Sequence, residues 1–347
     1  MLYGATGRTG TLIAEQAVAR GHRPLLAGRN VGRLVPLAER LGLPWVAVTP
    51  DDDLHRVLGD SRLVLLAAGP FASTSGQVLD ATLRVGVHYL DIANEIGVIE
   101  QVLGTRTERI TVIPAVGFGT VASDGLARFV ADQVPGADRL DLAILLSTAG
   151  SSVAARASTM AALAGGGRVR RDGRLVQTRL GNGARRLATP VGVRTAVPVP
   201  TGDLVTSYHT TGISNITVAM MMPMPVTAAR VLLPALPALV RARRHLPRRR
   251  NAVALDAPAP AAQSVVSAPA TPDQILESYV WARAVAVDGR AAEGWLRTGE
   301  GYAFTAASAV STVEAVLASE PLGATTVAAA FGPKIALSAG GEYLAAA

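Results

Sequence analysis

The 347-residue chain contains no cysteine. That absence excludes disulfides, thiolate nucleophiles and cysteine metal sites. Lysine is nearly missing as well. Lys334 is the only one, and Ala330 stands four residues before it. A Tyr-x-x-x-Lys pair, in which lysine lowers the tyrosine pKa for proton transfer, is therefore excluded. Aromatic residues make up 4% of the chain against 49% hydrophobic residues, so the expected core is mainly Ala, Val and Leu. The histidines His22, His55, His88, His209 and His245 show no metal-ligand spacing, and no metal is expected. No secretory pattern is visible, because a glycine loop begins at residue four; the expectation is a cytoplasmic protein. Acidic residues are outnumbered, giving a formal net charge of +7. Much of the excess lies in Arg241-Ala242-Arg243-Arg244-His245-Leu246-Pro247-Arg248-Arg249-Arg250. This run has no interleaved aromatics and belongs to no recognised nucleic-acid module, so it reads as a solvated linker and no nucleic-acid partner is expected.

What is present is organised around Gly4-Ala5-Thr6-Gly7-Arg8-Thr9-Gly10. A short apolar lead, Gly-x-x-Gly-x-x-Gly and an amphipathic run read as strand, tight turn and helix. Gly4 permits the turn, Gly7 lets backbone approach a pyrophosphate, and Gly10 lets the helix pack close to the strand. Free amides at the helix start, with the helix dipole, favour negative charge. Only Met1, Leu2 and Tyr3 precede Gly4, so either the strand is short or the natural start lies upstream. Pro24 to Ala27 reads as the second strand, ending in Gly28-Arg29-Asn30. An acidic residue there would bind a ribose 2′-hydroxyl. Arg29 instead suits a 2′-phosphate, which favours NADP(H) over NAD(H). Arg8 is a second candidate phosphate contact.

Strands and helices then alternate. Val31 to Leu41 is an expected helix and Pro44 to Val48 a strand. Asp51-Asp52-Asp53 reads as an acidic helix start. Arg62 to Ala68 is a continuous apolar strand, as in a sheet covered on both faces. It runs into Ala68-Gly69-Pro70-Phe71, where small residues let a nicotinamide ribose lie close. Ser73 to Val85 is an expected helix and Val87 to Leu90 a strand, followed by Asp91 and Glu95, which read as helix caps or substrate contacts, with capping favoured for at least one of them. Ile110 to Ile113 is a further strand. Asp124 then caps an expected helix, Gly125 to Val134. This alternation predicts an α/β fold with a Rossmann-type doubly wound parallel sheet.

Beyond it the pattern predicts a second α+β domain built on a mixed sheet. It includes a strand over Arg139 to Leu146, a small-residue helix over Ser151 to Leu163 and a hairpin turning at Asp172-Gly173. Leu204 to Thr211 and Asn215 to Met222 are read as strands. Thr217 to Val240 is apolar, but Pro223, Pro225, Pro234, Pro237 and Arg230 argue for a buried strand and a broken helix. No transmembrane span is expected, and peripheral membrane contact is an open alternative. Tyr279 to Ala286 and Ala291 to Thr298 pair through Asp288-Gly289, and Thr305 to Leu317 is helical. The expected division is 1–123 for the NADP-binding domain, 124–320 for the substrate domain with a linker over 241–272, and 321–347 packing back on the first domain.

The chain resembles the saccharopine dehydrogenase-like reductases, including the trans-acting enoyl reductase branch. The residues that carry the resemblance are Gly4 to Gly10, Ala27-Gly28-Arg29-Asn30, Ala68-Gly69-Pro70-Phe71, His88-Tyr89-Leu90-Asp91, Gly117-Phe118, Ser123-Asp124, Thr210 to Asn215 and Gly301 to Ala306. Departures are Ser152-Val153-Ala154-Ala155-Arg156, and Ser214 and Ala122 where relatives usually carry proline. They bear on the substrate rather than the fold.

The resemblance implies hydride transfer from NADP(H) to a C=C (enoyl or enone) or C=N (imine) bond. The acceptor would be a small-molecule or carrier-bound substrate, in secondary or lipid metabolism. The candidate cofactor-binding residues are Gly4, Ala5, Thr6, Gly7, Arg8, Thr9, Gly10, Arg29, Asn30, Ala68, Gly69, Pro70 and Phe71. Candidate proton donors are Tyr208, His209 and Tyr302. Tyr208 and His209, neighbours on an expected strand, face opposite sides, so at most one reaches the site; His209 is favoured. A non-catalytic NADPH-binding sensor and a homodimer remain open alternatives.

Overall fold

The computed structural model describes residues 1–50, 54–147, 165–238 and 276–344. Asp51 to Asp53, the helix expected over Ser151 to Leu163, Ser152 to Arg156, the arginine run and the whole linker over 241–272 lie outside the described residues.

The first half alternates as its sequence pattern requires. The elements are β1 (Leu2–Tyr3), α1 (Arg8–Ala19), β2 (Leu26–Gly28), α2 (Val31–Leu41), β3 (Trp45–Ala47), α3 (Leu54–Leu58), β4 (Leu63–Leu66), α4 (Phe71–Val85), β5 (His88–Asp91), α5 (Ile96–Leu103), β6 (Thr111–Ile113) and α6 (Phe118–Asp132). Local chemistry sets several ends. The Asn30 side chain accepts from the Arg33 amide at the start of α2, and left-handed Gly42 and Gly86 stop α2 and α4. The strands of this sheet pair in parallel in the order β3-β2-β1-β4-β5-β6, extended by β15 (Gly323–Ala324) beside β6. The chain order reverses between β1 and β4, which makes their carboxyl ends the crevice where such sheets bind ligands. Strand periodicity divides the residues between the two faces. Leu2, Leu26, Leu63 and Leu65 enter one core cluster; Tyr3, Ala27, Val64 and Leu66 enter the other.

The second half builds a mixed sheet. Its elements are β7 (Ala137–Leu145), β8 (Gly167–Arg171), β9 (Arg174–Thr178), β10 (Arg185–Thr189), β11 (Gly192–Pro198), α7 (Asp203–Thr211), β12 (Asn215–Met222), α8 (Val226–Leu232), β13 (Ser278–Ala286), β14 (Ala291–Thr298), α9 (Gly301–Ser319), α10 (Val327–Phe331), α11 (Ile335–Ser338) and β16 (Glu342–Leu344). The order is β10-β11-β12-β7-β13-β14-β16, with β7 and β12 parallel and the β8–β9 hairpin against β12. The hairpin turns at Asp172 (φ 49°) and Gly173 (φ 73°), the left-handed pair that a two-residue turn demands. One apolar core runs from Leu2 and Leu65 through Val121 and Leu126 of α6 to Leu142, Val280 and Leu296 of the second sheet.

Several expectations are corrected. Leu204 to Thr211 is helical, not a strand. Its Thr, Val and Tyr content suits a sheet, but Asp203, Leu204, Thr206, Ser207 and Thr210 form one buried face packed on α6. Burial of that face outweighs local propensity. Helix α6 begins at Phe118, so Asp124 lies in its interior and is not a cap. The division expected after residue 123 thus falls inside one helix. Helix α9 begins at Gly301, where Glu300 accepts from the Ala303 amide at 2.8 Å. It is the one described helix long and apolar enough to cross a membrane, and half of it is buried in the fold. The C-terminal stretch reaches both sheets: β15 extends the parallel one and β16 pairs with β14.

Candidate functional site

The site grows from the glycine loop at the end of β1. Gly4 has φ +90°, and a Cβ there would meet Ala68 N at 2.6 Å and the Ala67 carbonyl carbon at 2.8 Å. The loop therefore touches the end of β4 backbone to backbone. A Cβ on Gly10 would lie 2.2 Å from Gly4 O, so α1 sits directly on the turn. Gly7 differs. It is exposed, and the only neighbour of its Cβ position is Gly4 O at 3.5 Å. Gly7 is also the N-cap of α1 and offers no side-chain cap. The first-turn amides of α1 thus form an uncapped, open N-terminus, the arrangement that attracts anions. Ala5 is buried and Thr6 and Thr9 are half-buried along this loop.

Charged groups stand around it. Arg29, just past β2, is exposed and makes no hydrogen bond or ion pair with any described residue. Its neighbour Asn30 is committed to capping α2. Buried Gly28 has nothing within 4 Å of its Cβ position. Arg8, in the first turn of α1, places its guanidinium carbon over the ring of Tyr302, 3.9 Å from the centroid. Tyr302 is in the first turn of α9, which is held against α1 by Arg20–Glu314 at 2.7 Å and His22–Glu314 at 2.7 Å. The other side of α9 holds the loop after β6. Thr305 Oγ1 accepts from Phe118 N at 3.1 Å, and Ser308 Oγ donates to Val116 O at 3.0 Å.

The remaining walls are the loops after β4 and β5. Ala68, Gly69, Pro70 and Phe71 pass from β4 into α4, and Thr74 Oγ1 donates to Ala68 O at 2.7 Å. Asp91, at the end of β5, is fully buried. Its carboxylate accepts from Ala93 N at 2.9 Å, Ala115 N at 2.8 Å and the Tyr89 hydroxyl at 2.8 Å. Burial pushes its pKa up to about 6, against the pull of those three donors. Asp91 is thus a tie between two strand ends, not a helix cap, and it holds Ala115 at φ +61°. Glu95 makes no side-chain cap either; it accepts from Asn94 N. Asn94 O and Oδ1 accept from Gly202 N, docking the start of α7 on this loop.

The three proton-donor candidates separate. Tyr302 touches the glycine loop through Arg8. Tyr208 packs on the guanidinium of Arg170 at 4.1 Å, beneath the β8–β9 turn, and Arg170 is itself bonded to Leu204 O and Gly173 O. His209 lies at the surface in the last turn of α7, where partial desolvation of its ring lowers its pKa. No contact among the described residues joins either to the loop. Being helical, they do not alternate across a sheet as the sequence suggested.

Sequence reasoning missed a polar seam between α6 and α7. Ser123 Oγ donates to Asp203 Oδ1, and Thr210 Oγ1 donates to Asp124 Oδ2 at 2.8 Å. Asp124 Oδ2 also accepts from Ala328 N at 3.3 Å. Asp124 Oδ1 and Asp203 Oδ2 have no hydrogen-bond partner among the described residues, and both residues are fully buried. Burial raises both pKa values, that of Asp124 to about 7. The signal was present as Asp203, Thr206, Ser207 and Thr210 at helical spacing, but it needed α7 to be read as a helix.

No protein-family model matches the chain. No curated protein matches it. Solved structures do. Apo saccharopine dehydrogenase (L-Glu forming) from Saccharomyces cerevisiae is 12% identical, with a TM-score of 0.64 over 99% of each chain. Amine dehydrogenase from Mycobacterium smegmatis is 11% identical, with a TM-score of 0.48 over 93% of each chain. A probable dehydrogenase from Thermotoga maritima is 10% identical, with a TM-score of 0.46 over 97% of this chain and 92% of that one. At these identities the likeness to the yeast enzyme is one of fold, and it is a saccharopine dehydrogenase-like fold.

Proposed function

We propose that the chain is an NADP(H)-dependent oxidoreductase that reduces a C=C or C=N bond of a small or carrier-bound metabolite. One juxtaposition carries the reading. The open N-terminus of α1 stands at the β1/β4 crevice, and Arg29, without a partner among the described residues, stands at the end of β2. The residues fit a dinucleotide. Gly4 leaves no room for a side chain between loop and β4, whereas Gly7 and Gly28 leave space. When bound, the nicotinamide supplies the hydride. The chain's own residues hold and orient it. Arg29 meets the 2′-phosphate, the α1 amides and Arg8 meet the pyrophosphate, and Asn30 acts only by capping α2. In this reading residues 1–123 bind cofactor, 124–320 shape the substrate side, and 321–347 return to the cofactor part.

Arg29→Ala is expected to shrink the preference for NADPH over NADH by about ten- to a hundredfold, the value of a charge-assisted phosphate contact. Titration of both nucleotides by fluorescence reads this out, and an unchanged ratio removes the NADP(H) assignment. Turnover is tested with NADPH and a panel of enoyl thioesters, enones and cyclic imines.

Of the donor candidates, Tyr302 is the one in contact with the loop. A positioning role through Arg8 and a proton-donating role give opposite results. If the ring only holds Arg8, Tyr302→Ala weakens both nucleotides about three- to tenfold and Tyr302→Phe leaves affinity and turnover intact. If the hydroxyl gives a proton, Tyr302→Phe loses turnover with affinity unchanged.

A further inference from the structure

The outer surface of the second domain carries an apolar helix that the proposed reaction does not use. Residues 226–238 read Val-Thr-Ala-Ala-Arg-Val-Leu-Leu-Pro-Ala-Leu-Pro-Ala, with Arg230 as the one charge. One side is anchored. Ala229 is buried against Ala184 and Val197. A Cβ on Gly181 would lie 2.2 Å from Ala229 O, so the helix backbone rests directly on that turn. Arg230 donates to Ala184 O at 2.7 Å. Among the described residues, nothing covers the opposite side. Val231 is 73% exposed and Leu232 63% exposed, and with Ala228 and Ala235 they form an uncharged stripe at helical spacing.

Beside this helix opens a groove of about 530 Å³, floored by Met222, Met224 and Val226 and edged by Arg186, Arg194 and half-exposed Val193. The charged side chains that line it, Arg186 and Arg194, are both cationic. Residues 165–238 contain nine arginines and no lysine, against two acidic residues, Asp172 and Asp203, of which Asp203 is buried. In sequence the helix is followed by Arg241, Arg243, Arg244 and Arg248 to Arg250, with no acidic residue before Asp256.

We infer that this face docks on an anionic lipid bilayer, with Val231 and Leu232 entering the headgroup–acyl boundary and Arg186 and Arg194 facing lipid phosphates. An apolar stripe flanked by cations is what an interfacial helix requires. Nucleic acid fits less well: aliphatic side chains gain nothing from a phosphate backbone, and the stripe has no aromatic ring for base stacking. A second copy of this chain would bring the same positive charge to the contact and be repelled.

Vesicle flotation of the whole protein tests the inference. It is expected to float with phosphatidylcholine–phosphatidylglycerol vesicles at low salt, to be released as salt rises, and not to float with phosphatidylcholine alone. The double variant Val231→Ser, Leu232→Ser keeps every charge and is expected to bind the mixed vesicles at least about tenfold more weakly, from the apolar area removed. An unchanged melting temperature shows that it is folded. Absence of flotation, equal flotation with neutral vesicles, or a double variant that floats like the wild type overturns the inference. So does a dimer in solution that the double variant dissolves, or duplex DNA binding without vesicle binding.

Discussion

Gly10→Ala is expected to lose the fold, and Gly7→Ala to keep it and lose the ligand. The two glycines belong to one motif and look alike in sequence. In the structure a Cβ at residue 10 would lie 2.2 Å from Gly4 O and 3.0 Å from Ala5 Cα. Both neighbours are backbone of the turn that joins β1 to α1, so neither can swing aside. Relief requires α1 to move off the central strand, and α1 also carries the contacts to α9. Overpacking costs roughly 1–3 kcal/mol where side chains yield, and this clash exceeds that range because backbone must yield. At residue 7 the nearest atom is 3.5 Å away, and φ is −73°, ordinary for alanine. The stability cost is the N-cap preference of glycine over alanine, about 1 kcal/mol. A methyl group there instead occupies space that a pyrophosphate needs. Thermal melts of the two variants, with nucleotide titration of the folded one, separate the roles. If Gly7→Ala binds NADPH as the wild type does, the loop is not the phosphate site. If Gly10→Ala melts with the wild type, the packing account is wrong.

Asp124→Asn is expected to stabilise the protein above neutral pH and to change little in acid. Asp124 lies in the middle of α6, fully buried, facing Asp203 across the seam with α7. Burial raises its pKa to about 7 from an ordinary carboxylate value of 3.8. The sign follows from proton counting. Between those values the native carboxyl keeps a proton that the unfolded chain has lost, so stability falls as pH rises. The contribution is complete below about 4 and gone by about 7. Its size is on the order of 4 kcal/mol, at about 1.4 kcal/mol per tenfold shift. Asparagine retains the oxygen that accepts from Thr210 and Ala328 and cannot ionise. Melting curves at pH 5 and pH 8 should therefore converge in acid and separate by several degrees in base, with the variant higher. Asp203 and Asp91, raised in the same direction, leave a residual slope in the variant. Parallel curves for the two proteins would mean that Asp124 is not a neutral acid in the native state.

The first sheet was legible in the sequence because its signals are local. A glycine at φ +90° in the turn after β1, the two-face apolar run Leu63 to Leu66, and glycines ending α2 and α4 each act within a few residues. The β13–β14 and β8–β9 hairpins were legible for the same reason: Asp288-Gly289 and Asp172-Gly173 specify their turns. Helix α7 was not. Val205, Thr206 and Tyr208 suit a strand in isolation, and only the face buried on α6 makes a helix the lower state. That misreading also misdirected the donor candidates, since Tyr208 and His209 were placed by a strand's alternation.

The α/β class, the glycine turn, the lack of thiol and Tyr-x-x-x-Lys chemistry, and the position of Arg29 just past β2 are all readable from the residues in order. Composition and neighbour-to-neighbour geometry suffice for these. Folding in three dimensions is what brings Tyr302 over Arg8, makes Asp91 a tie between strand ends, and buries Asp124 opposite Asp203. Those pairings join segments from distant parts of the chain. They exist because apolar faces of α1, α6, α7 and α9 are buried together, and no local pattern records which distant faces will meet.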